Sequence, residues 1–204
     1  MNKELDQVNL SCGIDSNITG CRFSLYPMTD NFVDIILSSL EKTDISNVWT
    51  ETDAMSTVYR GKSEYVVDAV EALFINAYKE DVHMTIEGLL SKGCPGDSKG
   101  DVKMGIEGKS PNQELIKDIH FPALCKFSLY PMGNDNYMDE IYDIVDMAKD
   151  KGLNPKSIHY ATRLEGDVQD IFNYFGEITK YLEDRISHYI IHFTISVNSP
   201  TVED

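Results

Sequence analysis

The sequence predicts an α+β protein built from two tandem βαββαβ units. Three observations carry this expectation. The heptapeptide CRFSLYP at 21–27 returns as CKFSLYP at 125–131. After a slip of a single residue at GNDN (133–136), Thr57, Gly61, His83, Ser91 and Pro95 meet Thr162, Gly166, His188, Ser196 and Pro200 in order, the mark of an internal duplication. Within each copy the apolar period changes from alternation to helical spacing and back.

Each copy opens on an alternating strand. Phe23 and Leu25 lie on one face, with Arg22, Ser24 and Tyr26 on the other, and Pro27 ends it. An amphipathic helix follows, with Phe32, Ile35, Ile36 and Leu40 on its apolar face. Its counterpart uses Tyr137, Ile141, Ile144, Val145 and Ala148, and Gly152 is the expected C-cap. Two short strands come next, in 46–61 and again in 157–166, where the first is less distinct. Gly61 and Gly166 break the chain before a second helix. Val66, Ala69, Val70, Leu73 and Ala77 give its period in one copy; Val168, Ile171, Phe172, Phe175 and Leu182 give it in the other. A long strand closes each unit, near 82–91 and 186–198. This order suits antiparallel sheets with both helices on one face, the ferredoxin-like arrangement. The expected boundaries are a first repeat at 14–95, a linker at 96–119 and a second repeat at 120–200. The linker is rich in Gly, Pro, Ser and charge, with a short extended stretch expected at Val102–Ile106. It is no phosphate loop, since no GK[ST] follows a strand and Asp97 and Asp101 oppose an anion.

Composition narrows the function. The chain has 204 residues, 42% of them hydrophobic, enough for one large core or two small ones. Eighteen basic against 34 acidic residues leave a net charge of −16, which repels phosphate backbones and argues against nucleic acid as a partner. Neither a charged-then-apolar leader nor an apolar run near twenty residues is present, so a cytoplasmic protein without a membrane span is expected. The four cysteines, Cys12, Cys21, Cys94 and Cys125, form no CxxC pair and suggest reduced thiols. Cys21 and Cys125 sit at equivalent strand starts and are expected to be small buried hydrophobes. His188 and His192 share a strand face but stand about 13 Å apart at the usual strand rise, too far to share one metal ion.

The face of the sheet away from the helices is where chemistry is expected. In the last strand of the second copy Tyr189, Ile191, Phe193, Ile195 and Val197 point inward. His188, Ile190, His192, Thr194, Ser196 and Asn198 point away. In the first copy Met84 and Ile86 point inward, against His83, Thr85, Glu87, Leu89 and Ser91. With Arg22, Ser24, Tyr26, Lys126, Ser128 and Tyr130, each open face mixes hydroxyls, imidazoles and a cation with a few apolar groups. Such a surface suits a small heteroaromatic ligand, an interface between copies or subunits, or both. Trp49, the only tryptophan, is a filler more readily than a stacking platform.

CRFSLYPM (21–28) with TDNFVDIILSSL (29–40), VWTETDAMSTVYRG (48–61) and SKGCPGD (91–97), then FSLYPM (127–132) with SIHYA (157–161) and NSP (198–200), resemble the YkoF family. These are bacterial proteins that bind thiamin and its hydroxymethylpyrimidine moiety, and the resemblance runs from about Gly13 to Pro200. It implies a cytoplasmic homodimer of two tandem ferredoxin-like repeats, each holding one ligand. It implies a pathway linked to thiamin or hydroxymethylpyrimidine uptake, with thiamin-precursor transporter components as partners. It brings no catalytic residues, no metal and no cofactor. An aminopyrimidine presents ring acceptors, an amine donor and a flat face. Ser24 and Tyr26, and Ser128 and Tyr130, are the expected contacts from the first strands. Trp49, Thr50, Thr52, Ser56 and Thr57 add to them from one central hairpin; His159, Tyr160 and Thr162 are the second-copy counterparts. Ser196 and Asn198 end the last strand. Glu87 is the expected partner of a thiazolium cation in copy one alone, since His192 replaces it in copy two, so two unequal sites are expected.

Two other classes stay open. A dimeric ferredoxin-like enzyme acting on a small heteroaromatic would use a sheet-floor histidine such as His159 or His192. A ligand-sensing regulatory module would bind at a subunit interface.

Overall fold

The computed structural model describes residues 17–93, 98–133 and 137–201. The first repeat runs β1 (Thr19–Pro27), α1 (Phe32–Lys42), β2 (Trp49–Thr52), β3 (Thr57–Gly61), α2 (Ser63–Ala77) and β4 (Met84–Lys92). A 3-10 segment at Ser98–Gly105 and a one-turn helix, α3 (Gln113–Ile116), follow. The second repeat runs β5 (Pro122–Met132), α4 (Tyr137–Asp150), β6 (Lys156–Ile158), β7 (Ala161–Asp167), α5 (Val168–Glu183) and β8 (His188–Val197). The extended stretch expected at Val102–Ile106 is therefore corrected to 3-10 turns. An isolated strand would leave its backbone groups without a ladder, whereas tight turns satisfy them locally, as Ile106 N does with Lys103 O at 3.2 Å.

The two repeats do not form separate sheets. Their last strands pair antiparallel from Met84↔Val197 to Lys92↔Tyr189, giving one eight-stranded sheet in the order β2-β3-β1-β4-β8-β5-β7-β6. Each half keeps the ferredoxin-like order, and every pairing is antiparallel. At the centre Gly88 pairs with Phe193, its own repeat equivalent, so a pseudo-twofold axis passes between them. A Cβ on Gly88 would lie 2.5 Å from Phe193 Cζ. The glycine makes room for the ring.

The helices cover one face and bury the alternate residues of every long strand. In β8 the burial alternates without a break, and Tyr189, Ile191, Phe193, Ile195 and Val197 are all buried. The helical periods expected for α2 and α5 coincide with buried residues throughout. The face expected for α1 does not. Ile35 and Ser39 are buried, but Phe32 is 49% and Leu40 37% exposed. α1 lies beside α2 on the flank of the helix layer, and nothing among the described residues covers its far side. In α4, Ile144 and Ala148 are buried and Tyr137 is exposed. Gly152, at φ 74°, ends α4 with Gly152 N donating to Lys149 O and Leu153 N to Ala148 O, a Schellman cap.

α3 fastens the connection to the helix layer. Buried Asn112 donates from Nδ2 to Asp68 Oδ2 (2.7 Å) and to Asp44 O (2.9 Å), and accepts from Asp44 N (2.8 Å). Gln113 Nε2 donates to Glu71 Oε2 at 3.1 Å, and Gln169 Nε2 of α5 donates to Ile116 O at 2.8 Å. Burial pushes the Glu71 carboxyl up to about 8, with the charge of Asp68 adding to the effect. No helix among the described residues is long and apolar enough to cross a membrane.

Candidate ligand-binding face

Directly paired residues of an antiparallel ladder share a face. Starting from buried Phe23, the register places Ser24, Tyr26, Trp49, Glu87, Ser128, Tyr130 and Ser196 on the face away from the helices. It places Thr50, Thr52, Thr57 and Thr162 on the helix side, because Thr57 pairs with Phe23 and Thr162 with Phe127. The hairpin hydroxyls thus do not all join the first-strand residues on one surface.

They meet at the hairpin tips instead. Ser24 Oγ donates to Met55 O at 3.0 Å, and Ser128 Oγ donates to Tyr160 O at 2.9 Å. These are equivalent bonds in the two repeats, and they bend each tip toward the open face. In repeat one the tip is also tied by a charge. Asp53 Oδ1 accepts from the N–H groups of Met55 and Ser56 at 2.8 and 2.9 Å. Arg22 Nη1 donates to Asp53 Oδ2 (2.9 Å) and to Ser56 Oγ (2.6 Å). The Met55 N–H above all, with Arg22 and the Ser56 N–H, holds the Asp53 carboxyl down at about 2. Neither Arg22 nor Asp53 figures among the expected site residues. The bond from the Met55 N–H two residues on makes the Asp53 segment an Asx turn, and an Asp at a hairpin tip is a signal the sequence does carry.

Hollows adjoin both tips. In repeat one a space of about 210 Å³ lies between the tip and α1. Phe23, Leu25, Ile36, Leu40 and Leu73 wall it, and Ser24, Thr52, Asp53, Ser56 and Thr57 supply polar groups. The uncovered Ile36 and Leu40 of α1 line this space. On the open face two further hollows occupy equivalent places. One of about 150 Å³ has Arg22, Ser24, Ser56, Glu87, Leu89 and His192. The other, about 330 Å³, has Lys126, Ser128, Tyr130, His159, Tyr160 and Thr194, and again His192. His192 therefore belongs to both, and it donates from Nε2 to Glu87 Oε1 at 3.0 Å. Glu87 lines the first of these hollows, and the fused sheet brings it against its own repeat equivalent.

The remaining expected residues have other partners. Ser196 Oγ is 3.1 Å from His83 Nε2. Asn198, at φ 53°, donates from Nδ2 to Lys79 O and Val82 O and ties down the turn before β4. Cys21 and Cys125 are buried, and burial pushes both thiols up, away from the nucleophilic thiolate. Cys12 and Cys94 lie outside the described residues. No group of three His, Cys, Asp or Glu side chains that could hold a metal occurs among the described residues. A larger hollow of about 460 Å³ lies on the helix side by Lys62, Glu64, Glu107, Lys180 and Glu183. Its lining is charged and of mixed sign, with Lys62 already paired to Glu107 at 2.7 Å, and it offers no wall for a flat ring.

Comparison with known proteins agrees with this duplication. The model of the YKOF-related family matches twice, over residues 18–97 and 122–202. A protein of Bacillus subtilis (strain 168), named "Putative HMP/thiamine-binding protein YkoF", is 41% identical over 190 residues, covering 93% of this chain and 94% of the relative.

Proposed function

Because the chain belongs to the YKOF-related family, we propose that it is a non-catalytic binding protein for thiamin or its hydroxymethylpyrimidine moiety, with one site at each hairpin tip. The observation that carries this reading is convergence. In each repeat the first-strand Ser meets the hairpin tip beside an open-face hollow, and in repeat one a second hollow between the tip and α1 adds apolar walls and hydroxyls. An aminopyrimidine needs that combination: walls for its faces, acceptors for its amine and donors for its ring nitrogens. Asp53 and Glu87 supply negative charge for a thiazolium.

Binding in the micromolar range suits a small polar ligand in half-open hollows, about −8 kcal/mol. Calorimetry with each compound tests it, and absence of heat from both at millimolar concentration removes the reading while leaving the fold untouched. The Glu87–His192 pair is an acid–base constellation that an enzyme of this fold could use. Mass spectrometry of the ligand after prolonged incubation distinguishes the two: unchanged ligand is expected, and a product would reassign the protein to catalysis.

The proposal extends to a homodimer with sheet faces opposed and to a cytoplasmic role beside thiamin-precursor transporter components. Tyr26, Leu89, Tyr130 and Tyr160 are exposed on the open side, an apolar surface that a facing sheet would cover. Light scattering checks it; a mass of 23.1 kDa at every concentration contradicts the dimer.

A further inference from the structure

The serine of the FSLYP segment returns with the same bond in both copies. Its hydroxyl proton is spent on a carbonyl at the hairpin tip in both copies, at 3.0 Å from Met55 O and 2.9 Å from Tyr160 O. The two tips differ in everything else that holds them. Repeat one adds the Asp53 turn and the Arg22 bonds to Asp53 and Ser56. In repeat two Lys126 stands for Arg22, Ile158 for Asp53 and Ala161 for Ser56, so neither the carboxylate turn nor the arginine bridge can form. Tyr160 instead has φ 67°, a left-handed conformation that a bulky residue adopts only when its surroundings impose it. The two-residue turn closed by the Ile158–Ala161 pairing calls for it, and the bond from Ser128 to the Tyr160 carbonyl ties that turn to β5. Its ring is 99% exposed; Met55, its equivalent, is 86% exposed. Met55 lines the hollow between its tip and α1, and Tyr160 lines the open-face hollow of repeat two.

We infer that Ser24 and Ser128 are positioning residues that latch the hairpin tips, and that the tip residues Met55 and Tyr160 determine what each site accepts. Repeat one is doubly locked and presents a rigid wall with a thioether. Repeat two, beyond its hairpin pairing, has the serine bond without the carboxylate turn or the arginine bridge, and presents an aromatic ring that closes on a flat heteroaromatic ligand. The assignment of a ligand to the tips rests on the proposed function; the difference in locking does not.

Two measurements separate these parts. Backbone order parameters at Met55 and Tyr160, taken without ligand, test the latches. Values near 0.85 are expected for both in the native chain. Ser128→Ala should drop Tyr160 below about 0.6, Ser128→Thr should restore it, and Ser24→Ala alone should leave Met55 ordered until Arg22→Ala is added. Equal loosening of both tips by the two serine substitutions, or no loosening by either, overturns the latches. Calorimetry with thiamin and with hydroxymethylpyrimidine tests specificity. Tyr160→Ala should weaken the second site at least fivefold and leave the first unchanged. Unchanged affinity at both sites, with or without loss of a dimer, overturns the role of the ring. A native chain that binds neither compound overturns the ligand reading, and the order parameters still decide the latches.

Discussion

Glu87 and His192 hold the same place in the two repeats and are hydrogen-bonded to each other, His192 Nε2 donating to Glu87 Oε1 at 3.0 Å. They meet because β4 and β8 pair about the Gly88–Phe193 axis, which brings equivalent positions together diagonally. A carboxylate in one copy and an imidazole in the other is a combination that two identical partners could not supply.

The pair changes the expected effect of Glu87→Gln. His192 lines the open-face hollow of each repeat, so the substitution should weaken thiamin at both sites by about 1 kcal/mol, roughly fivefold. A double-mutant cycle with His192→Gln should show coupling between the two positions. Additive effects, with the second site untouched by Glu87→Gln, would return Glu87 to copy one alone.

Gly88→Ala should destabilise the central pairing. The added Cβ falls 2.5 Å from Phe193 Cζ, so the ring must leave the place it fills among the buried side chains. A cost of about 1–3 kcal/mol is expected in urea unfolding, and Gly88→Ala with Phe193→Leu should recover part of it. Full stability of Gly88→Ala would mean that the ring has room to turn aside.

Glu71 makes stability depend on pH. Its carboxyl titrates at about 8 in the folded protein and near its ordinary 4.5 when unfolded, so the folded state holds the extra proton between those values. Stability is therefore greatest below about pH 4.5 in this contribution and falls as pH rises toward 8, by at most about 1.4 kcal/mol per unit. Glu71→Gln keeps the shape without the titration and should flatten that slope in chemical unfolding at several pH values. An unchanged slope would show that Glu71 is ionised in its place between α2 and α3.

Lys92 is a buried cation with no ion-pair partner among the described residues. Its Nζ donates to the carbonyls of Glu183 and Ile186, at the C-terminal end of α5, where the helix dipole favours positive charge. Lys92→Met should cost about 1–3 kcal/mol in thermal unfolding, since those carbonyls lose their donor. A variant as stable as the native chain would mean that water or repacking replaces the ammonium, as Val197 fills the equivalent position of repeat two.

The order of elements, the duplication and the facing of the long strands can all be read along the chain. The facing is written in local periodicity, and burial follows it in β8 with a period of two and in α5 with one near 3.6, whereas α2 is buried on nearly every side. The sequence also singled out Ser24, Tyr26, Ser128 and Tyr130, because a polar residue repeated amid divergence has a job beyond packing. The tertiary structure alone decided what lies against what. Periodicity states which side of α1 is apolar but not whether a neighbour covers it, and Ile36 and Leu40 line a hollow instead of a core. Facing within a short hairpin depends on register with β1, which put Thr50, Thr52 and Thr57 on the helix side. The joining of two sheets at β4 and β8 is a contact between residues about a hundred positions apart, and no local pattern encodes such a pairing. From that one pairing come the glycine against the phenylalanine, the glutamate against the histidine, and the sharing of His192 between two hollows.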